Sequence, residues 1–326
     1  LMRLIIQPDY QSVSQWAAHY VAAKIKAANP TPEKPFVLGC PTGSSPLGMY
    51  KALIDLNKKG IVSFQNVVTF NMDEYVGLPK EHPESYYSFM WNNFFSHIDI
   101  KKENTNILNG NAPDLDAECA RYEEKIKSYG GIDLFMGGIG PDGHIAFNEP
   151  GSRLNSTTRL ILLDNASRNE ASKIFGTIEN TPISSITMGV STILGAKKVY
   201  LLAWGENKAA MIKECVEGPI SDTIPASYLQ THNNAHVALD LSAAMNLTRI
   251  QRPWLVTSCE WNDKLIRSAI VWLCQLTGKP ILKLTNKDYN ENGLSELLAL
   301  YGSAYNVNIK IFNDLQHTIT LSLIHI

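Results

Sequence analysis

Between residues 36 and 241 the chain alternates apolar runs of strand length with stretches of helical periodicity, and this alternation constrains the fold more than any other feature. The runs fall at Phe36–Cys40, Val67–Asn71, 132–136, 198–203 and 237–241. Helical patterns occupy 47–57, 86–95 and 116–129, and another begins near residue 207. Strands and helices taken in turn build βαβ units, so the expected class is α/β: a parallel sheet with helices on both faces. In such sheets ligands sit beyond the carboxyl ends of the strands. The polar motifs of this chain follow strand ends, which places them in that crevice.

A chain of 326 residues has room for one large α/β domain or for a domain and an extension. The pattern changes around residues 247–253. We therefore expect a domain over 1–247 and an extension over 248–320, also α/β in character. It holds a helix over 261–276, stopped by Gly278-Lys279-Pro280, and a short one over 294–301. The last six residues, 321–326, match the conceptual translation of a sequencing adapter and are expected to be foreign to the natural reading frame. A formal charge of −2 gives no reason to expect nucleic acid or an anionic membrane as partner. The five cysteines form no C-x-x-C pair and no metal-ligand spacing, which suits reduced thiols. No apolar run approaches a membrane span, and the first ten residues lack the basic and apolar regions of a signal peptide. A cytoplasmic protein is the expectation.

The richest motif is Gly137-Gly138-Ile139-Gly140-Pro141-Asp142-Gly143-His144-Ile145-Ala146-Phe147-Asn148-Glu149-Pro150, directly after the run at 132–136. Its glycines let the backbone turn where a β-carbon would clash. Asp142, His144 and Glu149 then set an imidazole near two carboxylates, the equipment for proton transfer near neutral pH. The plainer alternative is a polar turn with a solvated histidine. Asn71-Met72-Asp73-Glu74-Tyr75 follows the second strand, and its adjacent carboxylates offer a general base with the neighbour oriented elsewhere. Helix capping is the competing use for both. Pro41-Thr42-Gly43-Ser44-Ser45-Pro46 joins a strand to a helix. Exposed N–H groups and hydroxyls there suit a phosphate, although a simple Ser/Thr cap would read the same way. Lys208 stands at a helix start, where the macrodipole disfavours a cation and a bound phosphate would offset the repulsion, a plain surface lysine being the alternative. Lys173 and Arg168, on the segment after the glycine loop, are further candidates for anion contacts on a mobile lid.

Taken together, Pro41-Thr42-Gly43, residues 70–78 and residues 140–150 closely resemble the glucosamine-6-phosphate deaminase family, over roughly residues 2–247. The resemblance implies a Rossmann-like sheet and conversion of glucosamine 6-phosphate and water to fructose 6-phosphate and ammonium. It also implies no metal or organic cofactor, and a homo-oligomer, hexameric in many members. Asp73 would be the base that moves the proton between C2 and C1, and His144 would open the pyranose ring. Asp142 and Glu149 would orient and tune the imidazole. Thr42, Gly43, Ser44, Ser45, Lys173 and Lys208 would hold the phosphate. Lys173 stands where the family usually has arginine, which keeps the charge but loses the bidentate fork.

Ser152 and Arg159 match the site at which bacterial members bind the activator N-acetylglucosamine 6-phosphate between subunits. Ile161 replaces the usual lysine there, so altered or lost activation is expected. Beyond residue 247 the chain resembles longer bacterial forms with a following deacetylase-like module, without a His-x-x-Asp-Asp zinc motif before the chain ends. The nearest rival on the same fold is a 6-phosphogluconolactonase. A sugar-phosphate-sensing regulator is the second, disfavoured because no basic recognition helix is visible.

Overall fold

The computed structural model describes residues 2–324. Its chain divides into two compact units, Leu1–Asn246 and Leu247–Ile326.

The first unit begins with β1 (Arg3–Gln7) and α1 (Tyr10–Ala28), capped by the Asp9 carboxylate, which accepts from the Ser12 N–H. There follow β2 (Phe36–Cys40), α2 (Leu47–Lys58), β3 (Val67–Asn71), β4 (Asp73–Tyr75), α3 (Tyr86–Asn93) and β5 (Thr105–Asn106). Next come α4 (Leu115–Ser128), β6 (Leu134–Gly138), β7 (Arg159–Leu162), α5 (Asn165–Phe175), β8 (Ser184–Thr187) and α6 (Val190–Leu194). The unit ends with β9 (Val199–Ala203), α7 (Ala209–Glu217) and β10 (Ala235–Asp240). Seven strands form one sheet in the order β1-β10-β9-β6-β2-β3-β5, and every pairing in it is parallel. β2, β3 and β9 are buried along their whole length, as strands covered on both faces must be. Phe36, Leu38 and Cys40 join Val13, Ala17, Val21, Met49 and Leu53 of α1 and α2 in one core. On the opposite face Phe70 meets Tyr122 of α4 edge to face, at 5.3 Å between centroids. The expected parallel α/β sheet with helices on both faces is present.

The second, three-stranded sheet was not foreseen. Its order is β4-β8-β7, antiparallel throughout. No periodicity announced it, because β4 is only Asp73-Glu74-Tyr75 and carries two acids.

The second unit corrects the α/β expectation for residues 248–320: among its described residues it is helical and contains no strand. Helices run over Asp263–Thr277, Asn286–Glu291, Ser295–Tyr301 and Ala304–Ile324. Ile266, Ala269, Ile270 and Leu273 recur at three- and four-residue spacing and pack with Trp254, Leu284, Tyr289, Leu297, Val307 and Ile311. That period builds a helical stripe, not a strand face. Asn262 caps the first helix by accepting from the Leu265 N–H at 2.8 Å, and Gly278 closes it at φ 68°. Of the hexapeptide singled out at the chain end, residues 321–324 continue the last helix. Its final two positions, His325 and Ile326, lie outside the described residues. No helix among the described residues is long and apolar enough to cross a membrane.

Candidate active site

β8 brings the two acidic motifs together. Asp73 pairs with Thr187 across the small sheet. The Thr187 hydroxyl accepts from the backbone N–H of Phe147 at 3.1 Å, three residues beyond His144. The next residue, Met188, donates its N–H to the Met72 carbonyl at 2.7 Å and accepts from the Asn148 amide at 2.8 Å. A base on one loop and an imidazole on another are thus tied to one strand, though far apart in sequence.

Asp73 and Glu74 are each only 5 % exposed, but their surroundings differ. Glu74 accepts from the N–H groups of Tyr75, Tyr86 and Tyr87 at 2.9, 3.1 and 3.0 Å, which satisfies donors at the start of α3. Burial still raises its pKa against those three bonds. The Asp73 carboxylate has no such donors among the described residues. Burial, reinforced by the charge of Glu74, pushes it well above the usual carboxylate range. One acid of the pair is bonded to a helix terminus and the other carries no such bond among the described residues.

In the glycine loop, Asp142 accepts from the Nδ1 of His144 at 2.5 Å and from its backbone N–H at 3.2 Å. Burial works to raise the Asp142 pKa, but the hydrogen bonds and charge of His144 outweigh it and hold the carboxyl below its ordinary value. An ionised Asp142 puts the proton on Nδ1 and leaves Nε2 as the reactive nitrogen. Gly140 is required for this arrangement, since a β-carbon there would fall on the His144 ring. Ala146 is held at φ 55°, a left-handed conformation rare outside glycine, in the turn that reverses the loop.

Glu149 is placed differently from the expectation. Its oxygens accept from the Asp164 N–H at 3.1 and 3.2 Å, at the start of α5, and make no hydrogen bond to His144 among the described residues. Burial raises its pKa, while the Asp164 N–H and the charge of His144 lower it, so its link to the imidazole is electrostatic. Among the described residues the hydrogen bond of the ring is to Asp142.

Around residues 42–45, Gly43 turns at φ 90°, and the helix that follows has no side-chain cap. The Ser/Thr hydroxyls therefore do not serve as a cap. A β-carbon on Gly138 would lie 3.7 Å from Ser45, so the two glycine turns are neighbours. Lys208 donates its Nζ to the Ile139 carbonyl at 2.8 Å, between them. Its burial lowers the pKa, opposed by Glu170 of α5 and by Asp142. Thr42, Gly43, Ser44, Ser45 and Lys208 thus share one corner of the crevice. Lys173 does not join them: it is exposed on α5 and bonds to none of these residues among the described ones. Arg168, also on α5, donates to the Ile178 carbonyl at 2.9 Å instead.

Ser152, Arg159 and Ile161 line a separate pocket of about 450 Å³ together with Glu149. Arg159 donates to the Asn148 Oδ1 at 2.9 Å and to the Ser152 hydroxyl at 3.4 Å. Asn148 was quoted in the motif without a role, yet it is wholly buried and makes three bonds: to the Ile145 and Met188 carbonyls and from Arg159. Replacing it by alanine removes three buried side-chain bonds, one of them to a guanidinium. We expect Asn148→Ala to cost about 2–4 kcal/mol in urea unfolding, against less than about 1 kcal/mol for a merely solvated amide.

Comparison with known proteins follows the same lines. A family model described as glucosamine-6-phosphate isomerases/6-phosphogluconolactonase matches residues 8–238. A glucosamine-6-phosphate deaminase of Bacteroides thetaiotaomicron is 74% identical over 247 residues, covering 76% of this chain and 92% of that protein. A glucosamine-6-phosphate deaminase-like protein of the same organism is 71% identical over 316 residues, 95% of this chain but only 48% of its own length. The chain thus spans about half of that relative. A solved structure described as a monomeric glucosamine-6-phosphate deaminase superposes with a TM-score of 0.72 at 41% identity, covering 75% of this chain and all of that one.

Proposed function

The chain belongs to the glucosamine-6-phosphate isomerase/6-phosphogluconolactonase family, and we propose that it is the deaminase kind, converting glucosamine 6-phosphate and water to fructose 6-phosphate and ammonium. The observation that carries this reading is Asp73, a buried carboxylate with raised pKa and no hydrogen-bond donor among the described residues, tied through β8 to an Asp142-oriented imidazole. A lactonase needs to add water to an ester and has no carbon acid to deprotonate. An acid of raised basicity beside a proton shuttle suits a carbon acid.

The steps follow from the residues. His144 Nε2 passes a proton at the ring oxygen, opening the pyranose. Asp73 removes the proton from C2 and returns it to C1, leaving an imine at C2. Water adds there, and the amine departs as ammonium. The phosphate is held by residues 42–45 and by the Lys208 ammonium, whose contact to the Ile139 carbonyl aims it at the turn. Lys173 would contribute only if α5 moved, and the exposed position of that lysine is the ground for leaving it out of the resting pocket. Glu149 tunes His144 by charge alone. Neither metal nor organic cofactor enters these steps.

Lys208→Met is expected to raise KM for glucosamine 6-phosphate about 10–100-fold, the worth of one charged hydrogen bond, with kcat far less affected. A fall in kcat at unchanged KM would move Lys208 out of phosphate binding. The N-acetyl activator, if bound in the pocket of Ser152 and Arg159, meets one guanidinium and an aliphatic Ile161, so weakened activation belongs to the same proposal. A homo-oligomer in the cytoplasm completes it, with light scattering as the check on assembly. The test of function is product analysis: one ammonium per fructose 6-phosphate is expected. Hydrolysis of 6-phosphogluconolactone without ammonium release would reverse the assignment.

A further inference from the structure

At the opposite edge of the large sheet, where the strands begin, a group of cations gathers that the proposed reaction does not use. Arg3 of β1, His236 of β10 and Tyr200 of β9 are cross-strand partners in one row. Neighbouring side chains in such a row point to the same face. Lys198, two residues before Tyr200, has the same parity. Over this face lies α1, presenting Tyr20 and Lys24 one turn apart. The rings of Tyr20 and Tyr200 are 4.9 Å apart, those of Tyr20 and His236 5.4 Å, and those of Tyr200 and His236 6.0 Å. The Lys24 ammonium stands 5.3 Å from the Tyr20 ring centre. Its charge, with that of Arg3, depresses the Lys198 pKa.

Two features of this cluster call for an occupant. Its charges are all positive: Arg3, Lys24 and Lys198 bear on one another and on His236, and no carboxylate enters the balance. Three buried polar atoms there, the hydroxyls of Tyr20 and Tyr200 and the His236 Nδ1, have no hydrogen-bond partner among the described residues, and Tyr200 is wholly buried. Like charges gathered together and unpaired buried polar atoms each cost free energy, and one multivalent oxyanion relieves both. We propose that Arg3, Lys24, Lys198, Tyr20 and His236 form a second anion site, for a phosphate group, at the strand edge remote from the catalytic loops. Inorganic phosphate and a phosphate monoester carry the same recognised group.

Desolvation together with Arg3, Lys198 and Lys24 depresses the His236 pKa, so bound phosphate reverses the sign of its surroundings and raises it. The experiment follows the His236 imidazole by NMR, assigned by its loss in His236→Gln, while inorganic phosphate or methyl phosphate is added. Saturable shifts and a raised His236 pKa are expected. The affinity should fall about tenfold or more in Lys24→Met and in Lys198→Met, the loss of one charge-assisted contact, and stay unchanged in Lys208→Met. Because either lysine substitution also changes the resting pKa, the affinity is the readout. Saturation by phosphate but not methyl phosphate identifies the free ion as occupant, and saturation by both admits esters. No saturable shift, or equal affinity in the lysine variants, overturns the site. Loss of the response in Lys208→Met alone would assign it to the catalytic crevice.

Discussion

Asp73→Asn is expected to abolish ammonium release, lowering kcat by about 10²–10⁴-fold, the usual contribution of a positioned general base, with little change in KM. The same substitution should stabilise the fold at neutral pH. The sign follows from the direction of the shift: burial raises the folded-state pKa of Asp73 above its unfolded value. Below the unfolded pKa the carboxyl is protonated in both states and costs nothing. As the pH rises towards the folded pKa the unfolded chain ionises first, and the native state is progressively penalised. An asparagine never pays that penalty, so the gain in Tm should be absent near pH 3 and grow towards pH 7. Thermal melts over that range test it. Activity and stability moving in opposite directions is the signature of a charge buried for use, whereas a structural acid would lose both. For the wild type the same shift predicts that activity fails on the acid side, as Asp73 takes up a proton.

Gly140→Ala should lower kcat about a hundredfold or more, in the range expected when a catalytic group is displaced by an ångström. The backbone at Gly140 is not in the left-handed region, so alanine meets no conformational barrier. Its β-carbon would instead occupy the space of the His144 ring. The imidazole must turn away, which breaks its bond to Asp142. His144→Gln should be about as damaging, and the double variant no worse than either, because both remove one proton shuttle. Near-normal rates in Gly140→Ala would mean that His144 works from another position. The check is steady-state kinetics with unfolding curves beside it, since this substitution should leave the rest of the sheet intact.

The sequence made some of this legible for clear reasons. Phe36–Cys40 and Val67–Asn71 match the strands residue for residue, because both are buried on two faces and bounded by polar or Pro/Gly turns. Asp73, Asp142 and His144 could be named because each follows such a strand end closely. What joins them could not. β8 is Ser-Ser-Ile-Thr, with no apolar alternation, and its pairing with β4 is a long-range contact that no local period encodes. The hydrogen-bond partner of Glu149 was hidden for a related reason: proximity along the chain suggested His144, while folding set its oxygens on the Asp164 N–H. Charge on a helix does not reveal which way the helix faces, and Lys173 stands exposed on α5. β1 and α1 went unassigned, and so did the cluster they build with Lys198 and His236. In the second unit, Ala304–Ile324 escaped notice because its many β-branched residues have weak helix propensity, which packing of Val307 and Ile311 overrides.

The most direct test of the central claim, that Asp73 carries the C2 proton, is to follow the label of glucosamine 6-phosphate deuterated at C2. With the wild type, deuterium should leave C2 for C1 or solvent in step with ammonium release. With Asp73→Asn both should stop while the substrate still binds. Label departing from C2 at the wild-type rate in Asp73→Asn would contradict the account.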